Sequence, residues 1–176
     1  MEGRLVDAEY EIGPLIGKGA QGEVYKLFAL EGNQRFALAI KVFPAENKSL
    51  QSFIDEVRYA SVLRHPNLLK IFRSGLILPE RRPYYIAEYW PGVSTLSKLQ
   101  LFNKAKNIHT FIETMLKTLV YLHRSGFLHL DLKPSNILIK NQDIKSLKII
   151  DFGSFCLLYT SPSPRDRTRS RMPSSA

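Results

Sequence analysis

A polar loop and an acidic turn hold the residues of this sequence best suited to chemistry on phosphate. The stretch HLDLKPSN places Asp131, Lys133 and Asn136 within six residues, and the stretch IIDFG places Asp151 at the end of an apolar run. A carboxylate can take the proton of a hydroxyl, while an amide and a second carboxylate supply the oxygen ligands that Mg²⁺ prefers. Each residue alone would fit a capping or turn position. All of them in this order indicate phosphoryl transfer.

A glycine-rich stretch near the start of the chain suits the same chemistry. GKGAQGEV contains Gly17, Gly19 and Gly22, and glycines let backbone N–H groups approach phosphates closely because no Cβ intervenes. A dinucleotide-binding fold would require a helix directly after the glycines. The residues that follow, EVYKLFAL, are typical of a strand. The pattern therefore favours a loop between two antiparallel strands.

A lysine inside an apolar strand needs an explanation. Lys41 lies within ALAIKVF, where it either points to water from an edge strand or has a partner, because an unpaired buried ammonium is costly. Glu56 lies on the apolar-facing side of the next predicted helix and is a suitable partner. Asp55 is rotated by about 100° around that helix.

The elements that must position these residues are strands first and helices later. Runs of β-branched and aromatic residues predict three strands in the first 42 residues and two more before Pro91. Apolar spacing predicts a helix over 49–65, with Ser49 as its N-cap, and a second helix over 107–126. Two short strands, ILI and LKIID, follow. The predicted fold class is α+β: a five-stranded antiparallel sheet with one helix, and then part of a helical lobe.

Composition limits the class of protein. The chain has 176 residues, of which 44% are hydrophobic, so it can bury the core of one domain or slightly more. Its net charge of +9 includes four arginines in residues 156–176 and is otherwise dispersed, so we expect no nucleic-acid partner. Cys156 is the single cysteine, which suits a reducing compartment. Without a signal-like start or a membrane-length apolar run, we expect a cytoplasmic protein with no membrane segment.

Together these motifs resemble the eukaryotic-type protein kinase family, with a match from about Tyr10 to Phe155. The resemblance implies a kinase that transfers phosphate from ATP, with Mg²⁺, to Ser/Thr hydroxyls of a protein substrate. The implied parts are an N-terminal extension (1–9), a small lobe with the hinge (10–90) and a partial large lobe with the catalytic loop and DFG (91–155).

The resemblance also implies a role for each motif residue. Around the nucleotide it implies Gly17, Gly19 and Gly22 over the phosphates, Val24 and Ala39 at the adenine, Leu138 as pocket floor, the hinge from Glu88 to Trp90, and Lys41, held by Glu56, on the α- and β-phosphates. For catalysis it implies Asp131 at the substrate hydroxyl, Lys133 at the γ-phosphate, and Asn136 and Asp151 as Mg²⁺ ligands.

One residue departs from the common family pattern. Leu130 stands in HLD where many protein kinases have HRD, so the arginine that would bind an activation-loop phosphate is missing. We expect a kinase of this non-RD type to work without activation-loop phosphorylation.

The last residues, 156–176, have a different character. The stretch CLLYTSPSPRDRTRSRMPSSA is rich in Ser, Pro and Arg, which would suit a disordered tail or the alternative C-terminus of a short form. It also resembles the translation of a transposon-type sequencing adapter. We expect a non-native, disordered tail, a large lobe cut off after DFG, and an inactive chain.

Two other functions remain open. A pseudokinase scaffold would bind nucleotide and transfer nothing, which the presence of Lys41, Glu56, Asp131, Asn136 and Asp151 argues against. A small-molecule kinase of related fold is disfavoured by Lys133, because HLDLKPSN is typical of kinases with protein substrates.

Overall fold

The computed structural model describes most of the chain. The described residues are 1–6, 9–19, 22–31, 34–45, 53, 57–58, 60–103, 105–151 and 156–157. Residues 30, 31, 34, 156 and 157 are described by their backbone alone. Four residues named in the sequence analysis, Ser49, Asp55, Glu56 and Phe155, lie outside this set.

The first part of the chain forms an antiparallel sheet of six strands: β1 (Leu5–Val6), β2 (Tyr10–Gly19), β3 (Gly22–Glu31), β4 (Gln34–Val42), β5 (Ile71–Ile77) and β6 (Arg82–Glu88). Their order across the sheet is β1-β2-β3-β4-β6-β5. The predicted fold class is confirmed, and β1 is an additional edge strand paired with the start of β2. Helical residues of the first predicted helix are described at Phe53, 57–58 and 60–62.

The two faces of this sheet have different roles, because successive side chains of a strand point to opposite faces. The outer face carries its own apolar core, which includes Ile12, Leu27, Ile40, Tyr84 and Ile86. The opposite face, here called the inner face, contributes residues to a second core shared with the rest of the chain.

The second part of the chain is built on one long helix, α1 (Ala105–Arg124). It begins and ends two residues earlier than the predicted range of 107–126, and Gly126, just beyond its end, takes φ +84° and donates its N–H to the His123 carbonyl at 3.0 Å. Met115 and Leu122 are buried against the second core. Within the described residues, no helix combines the length and the apolar character that crossing a membrane requires.

Short strands beside α1 carry the polar loop and the acidic turn. These are β7 (Val93–Thr95), β8 (Phe127–Leu128), β9 (Ile137–Lys140), β10 (Asp143–Ile149) and β11 (Cys156–Leu157). Strands β7, β9 and β10 form one sheet, and β11 pairs with β8. Cys156 and Leu157 therefore pair through their backbones, which differs at these two residues from the disordered tail expected from Cys156 onward.

Candidate active site

The structure brings Lys41 and Asp151 together from opposite parts of the chain. Lys41 Nζ donates to Asp151 Oδ1 at 3.0 Å, across 110 residues of sequence. Both side chains are about nine-tenths buried, with exposures of 11% and 8%. In such surroundings a charged hydrogen bond is stronger than in water, and removing one partner is costly. The predicted partner of Lys41, Glu56, lies outside the described residues.

Backbone hydrogen bonds explain why Asp151 reaches Lys41. The segment that precedes β5 runs beside the end of β10: Leu69 donates its N–H to the Ile149 carbonyl at 3.0 Å, and Ile149 donates to the Asn67 carbonyl at 2.8 Å. The Asn67 side chain adds a third bond, from Nδ2 to the Leu147 carbonyl at 2.8 Å. The end of β10, two residues before Asp151, is thus hydrogen-bonded to the segment that leads into β5.

Asp131 lies at the centre of a hydrogen-bonded loop. Lys133 Nζ donates to Asp131 Oδ2 at 2.7 Å, and Asn136 Nδ2 donates to the same oxygen at 3.1 Å and to the Asp131 carbonyl at 2.9 Å. The hydrogen bond from Lys133 is the main cause that lowers the pKa of the Asp131 carboxyl below its ordinary value. Asp131 is therefore a carboxylate at neutral pH, able to accept a hydrogen bond from a hydroxyl.

The loop that holds Asp131 is joined to the turn that holds Asp151. Ile150 donates its N–H to the Asn136 carbonyl at 2.9 Å, and the buried His129 ring places Nε2 at 3.2 Å from the Ile150 carbonyl. Asp151 itself has φ +68°, in the left-handed region that non-glycine residues rarely adopt. Such backbone conformations are often found at functional sites.

The glycine-rich stretch forms the end of the β2–β3 hairpin. Gly17 pairs with Val24 and Gly19 with Gly22, and residues 20 and 21 between them lie outside the described residues. Gly22 has φ +134°, and a Cβ there would lie 2.3 Å from the Val42 carbonyl oxygen. Glycine is therefore required at this position for the hairpin to pack on β4.

The predicted adenine residues share the inner face of the sheet with Lys41. Val24 pairs with Lys41, and Ala39 pairs with Ala87. Cross-strand partners and alternate residues of one strand lie on the same face, so these four residues belong to one surface. Leu138 lies on β9, opposite Thr95 and Lys148, in the second part of the chain.

The predicted hinge is held by charged side chains. Glu88 Oε1 accepts from Lys148 Nζ at 2.6 Å and from the Lys70 backbone N–H at 2.8 Å. Lys148 also lies over the Trp90 ring, 5.5 Å from its centre, in a cation–π contact. These contacts connect the hinge to β10, which leads to Asp151.

The donor set at this site fits a magnesium ion. The amide nitrogen of Asn136 is committed to Asp131, which leaves its Oδ1, together with the Asp151 carboxylate, as oxygen ligands of the type that Mg²⁺ prefers. Among the described residues, no group of three or more His, Cys, Asp or Glu could hold a metal by itself. A site with two protein ligands suits Mg²⁺ that arrives with phosphate oxygens.

The structure brings together Lys41, Asp131, Lys133, Asn136 and Asp151, which the sequence motifs singled out, but two contacts around them were not predicted. These are the hydrogen bond from Lys41 to Asp151 and the hydrogen bond from Lys148 to Glu88. Each joins residues far apart in the sequence, and no local pattern marks such a pair. The residue types alone gave a hint, because buried charges require partners.

Comparisons with known proteins agree with this architecture. The family model "Protein kinase domain" matches residues 10–172, a range that continues beyond Phe155, where the sequence resemblance was expected to end. The chain is 34% identical over 151 residues to Aurora kinase A-A of Xenopus laevis, covering 82% of this chain and 36% of that protein. It is 32% identical over 163 residues to a probable serine/threonine-protein kinase PknB of Bifidobacterium longum (85% and 23% covered). With the serine/threonine-protein kinase Aurora-2 of Arabidopsis thaliana the identity is 33% over 156 residues (85% and 53%).

The chain belongs to the protein kinase family. In this chain the six-stranded sheet contributes Lys41 to the site described above, and the polar loop and the acidic turn contribute Asp131 and Asp151. The chain spans between about a quarter and a half of the length of these relatives.

Proposed function

We propose that the protein containing this chain is a Mg²⁺- and ATP-dependent protein kinase that phosphorylates Ser/Thr hydroxyls of protein substrates. The observation that carries this proposal is the meeting of Lys41 with Asp151 at 3.0 Å, beside the loop in which Asp131, Lys133 and Asn136 are bonded together. Cations, carboxylates and an amide from three segments of the chain converge there. That combination suits the positioning and charge neutralisation on which phosphoryl transfer depends.

Each residue has a task that its contacts support. Asp131, kept ionised by Lys133, orients the substrate hydroxyl and accepts its proton. Lys133, bonded to Asp131 at 2.7 Å, would lie beside the transferred phosphate and neutralise its charge. Lys41 would bind the α- and β-phosphates, while Asn136 and Asp151 would hold Mg²⁺. The ion, when bound, would neutralise charge on the phosphate oxygens.

Transfer of labelled γ-phosphate from ATP to dephosphorylated casein or a Ser/Thr peptide library, by the whole protein, tests this proposal. We expect Asp151→Ala to lower kcat by at least about a hundredfold, with Asp143→Ala, in the β9–β10 hairpin, as the matched control. Full activity of Asp151→Ala would contradict the proposal. Nucleotide binding without any transfer by the wild type would favour a pseudokinase, and phosphorylation of small molecules alone would favour the small-molecule alternative.

We also propose that this kinase does not depend on activation-loop phosphorylation. Leu130, in place of an arginine, is 68% exposed and offers no cation to a phosphate. Phosphatase treatment of the active protein should leave its peptide-kinase activity within about twofold. A large loss of activity would contradict this.

The chain by itself we propose to be inactive. An apolar stripe on α1 is exposed, at Ile108, Ile112, Leu116 and Val120, and an apolar surface of this kind normally packs against other protein.

We also propose that residues 156–176 are non-native. The nucleotide sequence of the gene tests this directly. An adapter match there is the expected result.

A further inference from the structure

Glu23 is a charged residue that the proposed catalytic cycle does not use, yet it has an unusual number of partners. Its Oε2 accepts from Arg82 at 3.1 Å and from the Tyr25 hydroxyl at 3.1 Å, while Lys18 lies 3.1 Å from Oε1. We call Lys18, Glu23, Tyr25 and Arg82 the Glu23 cluster. The glutamate side chain is only 20% exposed. Its hydrogen bonds lower the pKa of Glu23 from 4.5 to about 2, and the bond from Arg82 is the largest cause of this shift.

The Glu23 cluster lies on the outer face of the sheet. Glu23 directly precedes Val24, whose partner is Lys41 on the inner face, so the two neighbouring side chains point to opposite faces. Arg82 alternates in the same way with Pro83 and shares its face with the buried Tyr84. The Glu23 carboxylate is thus directed away from the surface where the nucleotide is proposed to bind.

The partners of Glu23 connect the glycine-rich hairpin to the body of the sheet. Lys18 stands between Gly17 and Gly19 on β2, whereas Arg82 is on β6, with β4 between β3 and β6. Arg82 also donates from Nε to the Phe43 carbonyl at 3.1 Å. The Phe43 ring in turn lies 4.8 Å from Lys41 Nζ and packs on Phe53. One carboxylate therefore links the segment proposed to cover the phosphates with the segment that follows Lys41.

We propose that Glu23 is a positioning residue that holds the glycine-rich hairpin in the position, relative to the rest of the sheet, that is required for binding the phosphates of ATP. This inference rests on the proposed nucleotide-binding function. A hairpin held in place before binding loses less conformational freedom when the phosphates bind. Adenosine has no phosphates, so its binding affinity does not depend on the position of the hairpin. The contribution of Glu23 is therefore specific to phosphate-bearing nucleotides.

The single tryptophan of the chain, Trp90 in the predicted hinge, gives a direct binding signal. Its fluorescence in the soluble full chain is titrated with ATP and Mg²⁺ and, separately, with adenosine. We expect Glu23→Gln to weaken ATP binding about tenfold, as the loss of charged hydrogen bonds predicts, and to leave adenosine affinity within about twofold. Glu11→Gln is the matched control, because it removes an exposed ion pair with Arg35 at the other end of the same hairpin.

Arg82→Gln provides a second, independent variant on a strand outside the hairpin. It should also weaken ATP binding, and the double variant should weaken it by less than the sum of the two single effects, because both single variants remove the same Glu23–Arg82 contact. Unchanged ATP affinity of Glu23→Gln, or an equal loss of adenosine affinity, would overturn the proposal. A wild-type chain that binds neither ligand would overturn nucleotide binding by this chain, and this inference with it.

Discussion

At the scale of single residues, the site is defined by which charges face one another. The Asp131 carboxylate accepts hydrogen bonds from Lys133 and Asn136, whereas the Asp151 carboxylate accepts one from Lys41. Two carboxylates of the same loop–turn pair thus have different partners. We infer a division of work in which Asp131 faces the hydroxyl and Asp151 faces the phosphates, because charge partners decide what a carboxylate can do.

The pH dependence of activity should follow from the bond between Lys133 and Asp131. The lysine is the main cause of the lowered pKa of Asp131. The carboxylate therefore stays ionised until the pH falls below 3.8, the ordinary pKa of an aspartate carboxyl. In Lys133→Met this pKa rises, and the acidic limb of the kcat/KM profile of the whole protein should move to higher pH. Lys117→Met, which removes an exposed ion pair with Glu113 on α1, is the control. An acidic limb that stays in place would refute this assignment.

At the scale of secondary structure, patterns in the local sequence predicted most strands and helices. Contacts between residues far apart in the sequence were not predicted. Alternating apolar residues predicted the strands of the main sheet, and three-to-four spacing predicted α1, because these patterns repeat over many residues. Strand β1, at Leu5–Val6, is too short to show any alternation. Asp131, Lys133 and Asn136 were found together because they belong to one loop. The links from Lys41 to Asp151 and from Glu23 to Arg82 depend on strand register and on how β10 is fastened, which the sequence does not display.

Two glycines of the same hairpin should respond differently to substitution by alanine. At Gly22 a Cβ would lie 2.3 Å from the Val42 carbonyl oxygen, with φ at +134°, whereas at Gly19 it would meet nothing within 4 Å. Gly22→Ala should therefore lower the free energy of unfolding by more than about 2 kcal/mol, and Gly19→Ala should change it by less than about 1 kcal/mol. Urea unfolding of the chain followed by circular dichroism measures both. Equal losses would show that the hairpin does not pack on β4 as described.

At the scale of the whole molecule, the sheet and α1 share one core, and α1 uses only part of its apolar surface in that core. Met115 and Leu122 are buried, while Phe111 and Leu119 are half-buried against the same cluster. The apolar spacing that predicted this helix does not indicate which part of its apolar surface would be covered. That division follows from where β8 and β10 contact the helix.

The exposed part of that face should govern the solution behaviour of the chain. Ile108, Ile112, Leu116 and Val120 repeat every four residues, and Leu116 is 57% exposed. Apolar stripes of this kind promote association in water. We expect the purified chain to self-associate at micromolar concentration, as measured by light scattering after size-exclusion chromatography.

The double variant Ile112→Glu, Leu116→Lys should raise the monomer fraction with no loss of helical circular dichroism, because neither side chain is buried. Glu113→Lys with Lys117→Glu, one position further along in each case, reverses an existing ion pair and is the matched control, expected to leave association unchanged. A wild-type chain that stays monomeric would contradict the idea that this stripe drives association.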